Sequence, residues 1–187
     1  PLALSFLRAA FCTVFRQVQR GKDFEKMAFY DGHYLLSGDG TGYYSSAKVS
    51  SPYCLSKTFK NGETLYYQQM YAASFVCPGC KVVIPTFPEV ITQQDGSTKN
   101  DCERNAAKRY YEQFRQEHPH LKVIVVEDGL SSNGPHIRDL QRHKLRFILG
   151  AKPGDHVALF TQLKQAAKDG TATDIHFLDP DDRKKVH

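Results

Sequence analysis

Two acids sit where chemistry is available. Asp39 lies in the run SGDGTG between Gly38 and Gly40, directly after a short apolar stretch. Asp128 closes the run LKVIVVED and is followed by Gly129. Glycine beside an acid leaves room for a ligand's backbone or phosphate to approach closely. In sheets with parallel pairs, ligands collect outside strand ends, so an acid there is well placed. If the two strands are neighbours, both carboxylates meet at one edge of the sheet. Like charges that close are costly unless a cation stands between them. Hard Mg²⁺ or Mn²⁺ suits carboxylate oxygens, and no soft ligand is needed. The competing reading is plain: GDGTG is also a turn sequence, and an acid after a strand commonly caps the next loop or helix.

Arg138, Arg142, Lys144 and Arg146 follow the second acid, with His136 just before them. Clustered basic groups there could hold phosphates without regard to sequence. Lys108, Arg109 and Arg115 are interleaved with Glu103, Glu112 and Glu117, a pattern that reads as a solvated helix face with i,i+4 pairs. Glu127 adjoins Asp128 and points to the opposite side if the strand persists, so it is no partner in a metal site. Ser131, Ser132 and Asn133 either shape the loop or cap a short helix. Cys77-Pro-Gly-Cys80 has zinc or redox spacing, but no second ligand pair follows at a fitting distance, and a plain turn is the better reading.

The elements that must position these groups follow from hydrophobic period. Residues 3–19 carry Leu4, Leu7, Phe11, Phe15 and Val18 at helical spacing. Three strands are predicted: the front half of 33–46, then 64–76, then 81–91, where Pro85 and Pro88 suggest an edge position. Asn61-Gly62 and Pro78-Gly79 mark turns between them, and Asp95-Gly96-Ser97 a turn after them. The period then changes. Residues 101–118 form a helix with Ala106, Ala107, Tyr110, Tyr111 and Phe114 as its apolar stripe, closed by Pro119. Residues 121–126 are a nearly unbroken β-branched strand, suited to burial on both faces. A short helix over 135–143 and a strand over 145–149 come next. Beyond them, 157–168 reads as a helix, 175–178 as a short strand, and the tail as solvated. The expected fold class is α/β: a three-strand antiparallel meander plus two further strands in a mixed sheet, with flanking helices.

The chain has 187 residues, and its 41% hydrophobic and 24% charged residues are those of a globular domain and exclude a disordered one. No apolar run reaches the roughly 18–20 residues of a spanning helix, so no membrane partner is expected. The net charge of +5 suits a polyanion partner. Five cysteines, an odd number scattered along the chain, do not read as a disulfide framework and point to a reducing cytosol.

In combination, YLLSGDGTGYYSS (34–46), VIPTFPEVI (83–91), KNDCERNAAKRYYEQFRQEHPHL (99–121), EDGLSSNGPHIRDL (127–140) and FILGAKPGDH (147–156) resemble the DDE-type transposases of bacterial insertion sequences, whose catalytic domain is ribonuclease-H-like. The resemblance implies a DNA transposase that cuts its element's ends and joins the freed 3′-hydroxyl to target DNA. It implies Asp39 and Asp128 as the first two catalytic, metal-holding acids, with Mg²⁺ or Mn²⁺ in a two-metal site. It also implies DNA as partner, self-association of the parent protein, and a cytoplasmic, nucleoid-associated setting. The third acid, a Glu on a later helix, falls on no residue here: none of Asp155, Asp169, Asp174, Asp179, Asp181 or Asp182 has a fitting context. The expected organisation is therefore an upstream helical segment over 1–30, an incomplete core over 31–153, and the start of an insertion over 154–187, with a metal site too incomplete for turnover. Two alternatives keep the fold: a non-catalytic DNA-binding or assembly remnant, or a metal-dependent nuclease without joining activity.

Overall fold

The computed structural model describes residues 4–52, 54–92, 99–173, 177–178 and 185–186. The chain divides into two compact units, Pro1–Gly150 and Ala151–His187.

The first unit opens with helix α1 (Leu4–Arg20). Its Phe15 is buried, stacked on Phe75 at 5.3 Å and edge-on to Phe24 at 5.0 Å. A 3-10 turn (Phe24–Met27) and a short strand β1 (Ala28–Tyr30) lead into β2 (His33–Ser46), which pairs with β1 at its start. Strands β3 (Leu55–Thr58) and β4 (Thr64–Val76) follow, then β5 (Ile84–Pro85), β6 (Glu89–Ile91) and helix α2 (Lys99–Glu117). The unit closes with β7 (Val123–Glu127), helix α3 (Gly134–Arg142) and β8 (Arg146–Leu149).

The strands make one mixed sheet in the order β3-β4-β2-β7-β8, with β5 and β6 sharing the outer edge of β4. Pairing is antiparallel from β2 outward through β4, and parallel from β2 to β7 and from β7 to β8. This is the mixed sheet with flanking helices that the order of elements predicts. The β-branched run of β7 lies between two parallel neighbours, and Val123, Ile124 and Val125 are all buried. The stripe of α2 packs on the sheet: Ala106, Ala107, Tyr110, Tyr111 and Phe114 join Leu36, Phe75 and Val125 in the core.

Two expectations about the strands need correction. The first strand does not end before Asp39. It runs on through Gly38–Gly42, because the long β4 supplies a ladder partner along that whole stretch, with Asp39 opposite Ala72. The GDGTG segment is therefore strand rather than turn. The third strand, expected as one piece over 81–91, is broken into β5 and β6. Pro85 and Pro88 each lack the N–H that a continuous ladder would use. The strand β3 had no signal in the sequence.

In the second unit α4 occupies Val157–Lys168 as its periodicity predicts, and β9 (Phe177–Leu178) pairs antiparallel with β10 (Lys185–Val186). The turn expected at 95–97, the start of the strand expected at 175–178, and most of the tail lie outside the described residues. Among the described residues, no helix is long and apolar enough to cross a membrane.

Candidate functional site

Strand β2 and strand β7 run parallel, and their last paired residues are Ser37 and Val126. Asp39 and Asp128 each lie two residues further along. The register therefore sets them side by side where neighbouring backbones are about 5 Å apart. Both line one small cavity of about 10 Å³, the room of a single water-sized sphere, together with Gly38, Tyr71, Glu103 and His136. Each carboxylate is oriented by its own backbone: Gly40 N–H donates to Asp39 Oδ1 at 2.8 Å, and Leu130 N–H donates to Asp128 Oδ1 at 2.9 Å. Gly150 closes against the Asp128 segment, its N–H donating to Glu127 O at 3.0 Å. A Cβ at Gly150 would meet the Gly129 nitrogen at 3.1 Å, so the neighbouring backbone would have to give by a few tenths of an ångström.

Glu127, the residue before Asp128, is buried among β4, α2 and α3. Its carboxylate accepts from Tyr71 Oη, from Tyr111 Oη at 3.1 Å, and pairs with His136 Nε2 at 2.5 Å. The two tyrosine hydroxyls are also 2.6 Å apart. Burial, and the charge of Glu127 beside them, push both phenols well above their ordinary pKa, so they remain donors. This buried cluster fixes the end of β7, and with it the direction in which the next residue, Asp128, emerges.

The sequence assigned the space beside the glycines to a ligand. The protein itself fills it. A Cβ on Gly38 would fall on the Tyr71 hydroxyl, and one on Gly40 would fall on the Glu103 carboxylate. Glu103, read from sequence as part of a solvated helix face, in fact lines the acid cavity from α2. Only the absence of a Cβ at Gly40 hints at that approach in the sequence, and it does not name the partner. The same helix face differs from expectation elsewhere. Arg109 donates to Glu89 at 2.9 Å and to the Val90 carbonyl at 2.9 Å, and Glu117 accepts from Arg8 of α1 at 2.9 Å. These are ties to other elements rather than i,i+4 pairs.

The basic residues after Asp128 do not form one patch. His136 is turned inward onto Glu127 and is only 6% exposed, because α3 presents it to the core one turn before Leu140; it is not a surface group for phosphate. Asn133 caps α3 by accepting from the His136 N–H at 3.1 Å. Arg138, Arg142, Lys144 and Arg146 are exposed. Arg142 lies 3.0 Å from Asp139, and Arg146 lies 3.8 Å from Asp31. Beside the acid cavity, a groove of about 290 Å³ runs between α2 and α3, lined by Arg104, Asn105, Lys108, Asn133 and Asp139. Cys77 and Cys80 bracket a tight turn, with Cys80 N–H donating to Cys77 O at 3.0 Å and Gly79 at φ +76°.

The donor set at Asp39 and Asp128 suits a hard divalent cation. Among the described residues, no group of three or more His, Cys, Asp or Glu side chains forms a cage for a metal. Mg²⁺ does not need one, since it commonly binds through one or two carboxylates and completes its shell with water and substrate phosphate.

No protein-family model and no curated protein sequence matches the chain. Among solved structures, the Mos1 mariner paired-end complex with Mn is similar at 12% identity and a TM-score of 0.32, over 85% of this chain and 47% of that one. The catalytic domain of Mos1 mariner transposase is similar at 15% identity and a TM-score of 0.27, over 89% of this chain and 72% of that one. The Mos1 catalytic domain with Raltegravir and Mg gives 15% and 0.26, over 87% and 71%. This chain thus spans about half the length (47%) of the first of these relatives. With TM-scores of 0.32 and below, these likenesses carry no weight for function.

Proposed function

We propose that this chain carries the first two acids of a transposase-type phosphoryl-transfer site that works on DNA. The observation that carries the reading is the register of β2 and β7, which sets Asp39 and Asp128 opposite one another at one small cavity. In this reading Asp39 and Asp128 hold Mg²⁺ or Mn²⁺, with their Oδ1 atoms fixed by the Gly40 and Leu130 N–H groups. When bound, the cation supplies the charge that stabilises the attacking and leaving oxygens of an in-line displacement at phosphorus. The protein's own part is to orient the two carboxylates and to draw the phosphodiester toward them. Arg104 and Lys108 in the adjoining groove, with Arg138 exposed on α3, are the groups assigned to the strand nearest the acids.

The reaction is cleavage at the ends of a DNA element and joining of the 3′-hydroxyl to a target, the activity that the resemblance to bacterial insertion-sequence transposases implies. DNA ends and target DNA are then the partners, with self-association in the parent protein, in a bacterial cytoplasm at the nucleoid.

The test is Mn²⁺ binding followed by water-proton relaxation, with duplex binding followed by fluorescence anisotropy. Asp39→Asn and Asp128→Asn are each expected to lose the Mn²⁺ site while keeping the circular dichroism spectrum and the metal-free affinity for DNA. Mn²⁺ binding equal to wild type in both variants would overturn the reading.

A further inference from the structure

A second, basic cavity of the first unit is remote from the acid pair. It has a volume of about 400 Å³ and lies at the other end of the parallel strands, where Lys122 precedes β7 and Lys144 precedes β8. Six residues of extended chain separate Lys122 from Asp128, a span of about 20 Å. No acid lines this cavity; Lys122, Arg142, Lys144 and His143 do, with Arg115 among them.

Its walls are fixed. Arg115 spends its guanidinium on backbone carbonyls, donating to His143 O at 2.8 Å, His118 O at 2.9 Å and Leu121 O at 3.1 Å. It therefore staples the turn before β7 to the turn before β8, and the two lysines those turns carry keep a set separation. Neither Lys122 nor Lys144 has an ion-pair partner among the described residues. Lys144 sits at φ +53°, the left-handed position after α3, where glycine would be less strained and where a lysine keeps its charge at the rim. The His143 ring lines the same cavity, and its Nε2 is enclosed by the protein itself. Arg146, at the start of β8, is exposed and lies 3.8 Å from Asp31, so it is not counted with the cavity.

We propose that this cavity seats a backbone phosphate of duplex DNA, giving the protein a second DNA contact about 20 Å from the acid pair. The proposal rests on the reading of the chain as a DNA-processing protein, and it deepens that reading by naming where the flanking duplex is held. Lys122 and Lys144 neutralise phosphates, and Arg142 offers the guanidinium edge not facing Asp139.

The experiment is a salt titration of 30-base-pair duplex binding by anisotropy, without metal, for wild type, Lys122→Gln, and the double variant Lys122→Gln/Lys144→Gly. Both changes are at exposed positions, and glycine suits the left-handed backbone at 144, so the fold is expected to stand. The double variant should bind about tenfold more weakly near 100 mM salt, with the log–log salt slope reduced by about 2, one unit for each lost phosphate contact. Its Mn²⁺ binding should remain that of wild type. Unchanged duplex affinity and slope would overturn the proposal while leaving the acid-pair reading intact if Mn²⁺ binding persists. Lost duplex affinity in the lysine variants, with no Mn²⁺ site even in wild type, would leave the cavity standing and remove the metal reading. Inorganic phosphate at constant ionic strength separates the remaining source. If it shifts the His143 imidazole resonances while the lysine variants keep wild-type duplex binding, the site takes a free anion and the DNA proposal fails.

Discussion

Asp39 and Asp128 lie across from one another on parallel strands, each two residues past the Ser37–Val126 pair. Such a pair carries like charges, and among the described residues no third His, Cys, Asp or Glu completes a metal cage with it. A bound cation should therefore stabilise the folded chain by linkage, about 2.7 kcal/mol at a hundredfold excess over its dissociation constant. The thermal midpoint of wild type is expected to climb as millimolar Mn²⁺ or Mg²⁺ is added. Asp39→Asn and Asp128→Asn should start at or above the wild-type midpoint in chelator, since each removes one of two like charges, and should not respond to metal. Differential scanning fluorimetry with and without chelator reads this directly. An equal metal-induced rise in all three proteins would place the cation elsewhere.

The two glycines beside Asp39 make different demands. At Gly38 an added methyl would collide with Tyr71, which is 2% exposed and held by Glu127 and Tyr111, so nothing nearby can yield. Gly38→Ala should cost roughly 1–3 kcal/mol by overpacking. At Gly40 the collision is with the end of the Glu103 side chain, which can swing away. Gly40→Ala should cost less than about 1 kcal/mol yet move Glu103 out of the acid cavity. Urea denaturation of the two variants should separate them, and equal losses would mean that Glu103 is as firmly held as Tyr71.

The sheet was readable where period and composition agree. The stripe of α2 and the β-branched run of β7 each signal one arrangement, and the helices and strand they imply are present. The side-by-side placement of Asp39 and Asp128 was readable for the same reason, each as an acid just past an apolar run. What the sequence could not convey is partnership across the fold. Whether Gly38 and Gly40 make room for a ligand or for Tyr71 and Glu103 depends on which helix crosses the sheet and at what height. His136 looked like one more basic group after Asp128, and only the rotation of α3 about its axis turns it onto Glu127. The pieces β5 and β6 show the same limit on a smaller scale, since each proline's effect depends on which side of the strand its missing N–H would have faced.

Glu127 holds three donors in a buried setting, and removing it takes that acceptor from all of them, leaving the Tyr71 and Tyr111 hydroxyls only each other. Glu127→Ala should destabilise the fold by about 3–5 kcal/mol, the range for breaking a buried pair by deleting one partner. Tyr111→Phe removes a single bond to that carboxylate and should cost about 1–3 kcal/mol. Because Asp128 takes its direction from this anchor, Tyr111→Phe should also weaken Mn²⁺ binding while leaving metal-free DNA affinity unchanged. Chemical denaturation gives the first two values, and the Mn²⁺ titration gives the third. A wild-type Mn²⁺ affinity in Tyr111→Phe would confine the cluster to a role in stability.

His118 gives the fold a pH dependence of known sign. Its ring packs on Phe15 at 4.6 Å and on Phe114 at 4.9 Å, between α1 and α2. Burial lowers its pKa; the neighbouring Glu117 opposes that shift, and Arg115 and Arg16 add to it. Above the unfolded value of about 6.5 the imidazole is neutral in both states and contributes nothing to the pH dependence. As pH falls through that value, the unfolded chain takes up a proton that the folded chain refuses. Stability then declines until the lowered folded pKa is passed, where the loss levels off. His143, also lowered by burial and by Arg142, acts in the same direction. The urea midpoint should therefore drop as pH is taken from about 7.5 to 5.5, above the range where most carboxylates titrate. His118→Phe keeps the aromatic contacts and should flatten part of that drop, with His143→Gln removing more of it. An acid limb as steep in the His118→Phe, His143→Gln double variant as in wild type would assign the effect to other groups.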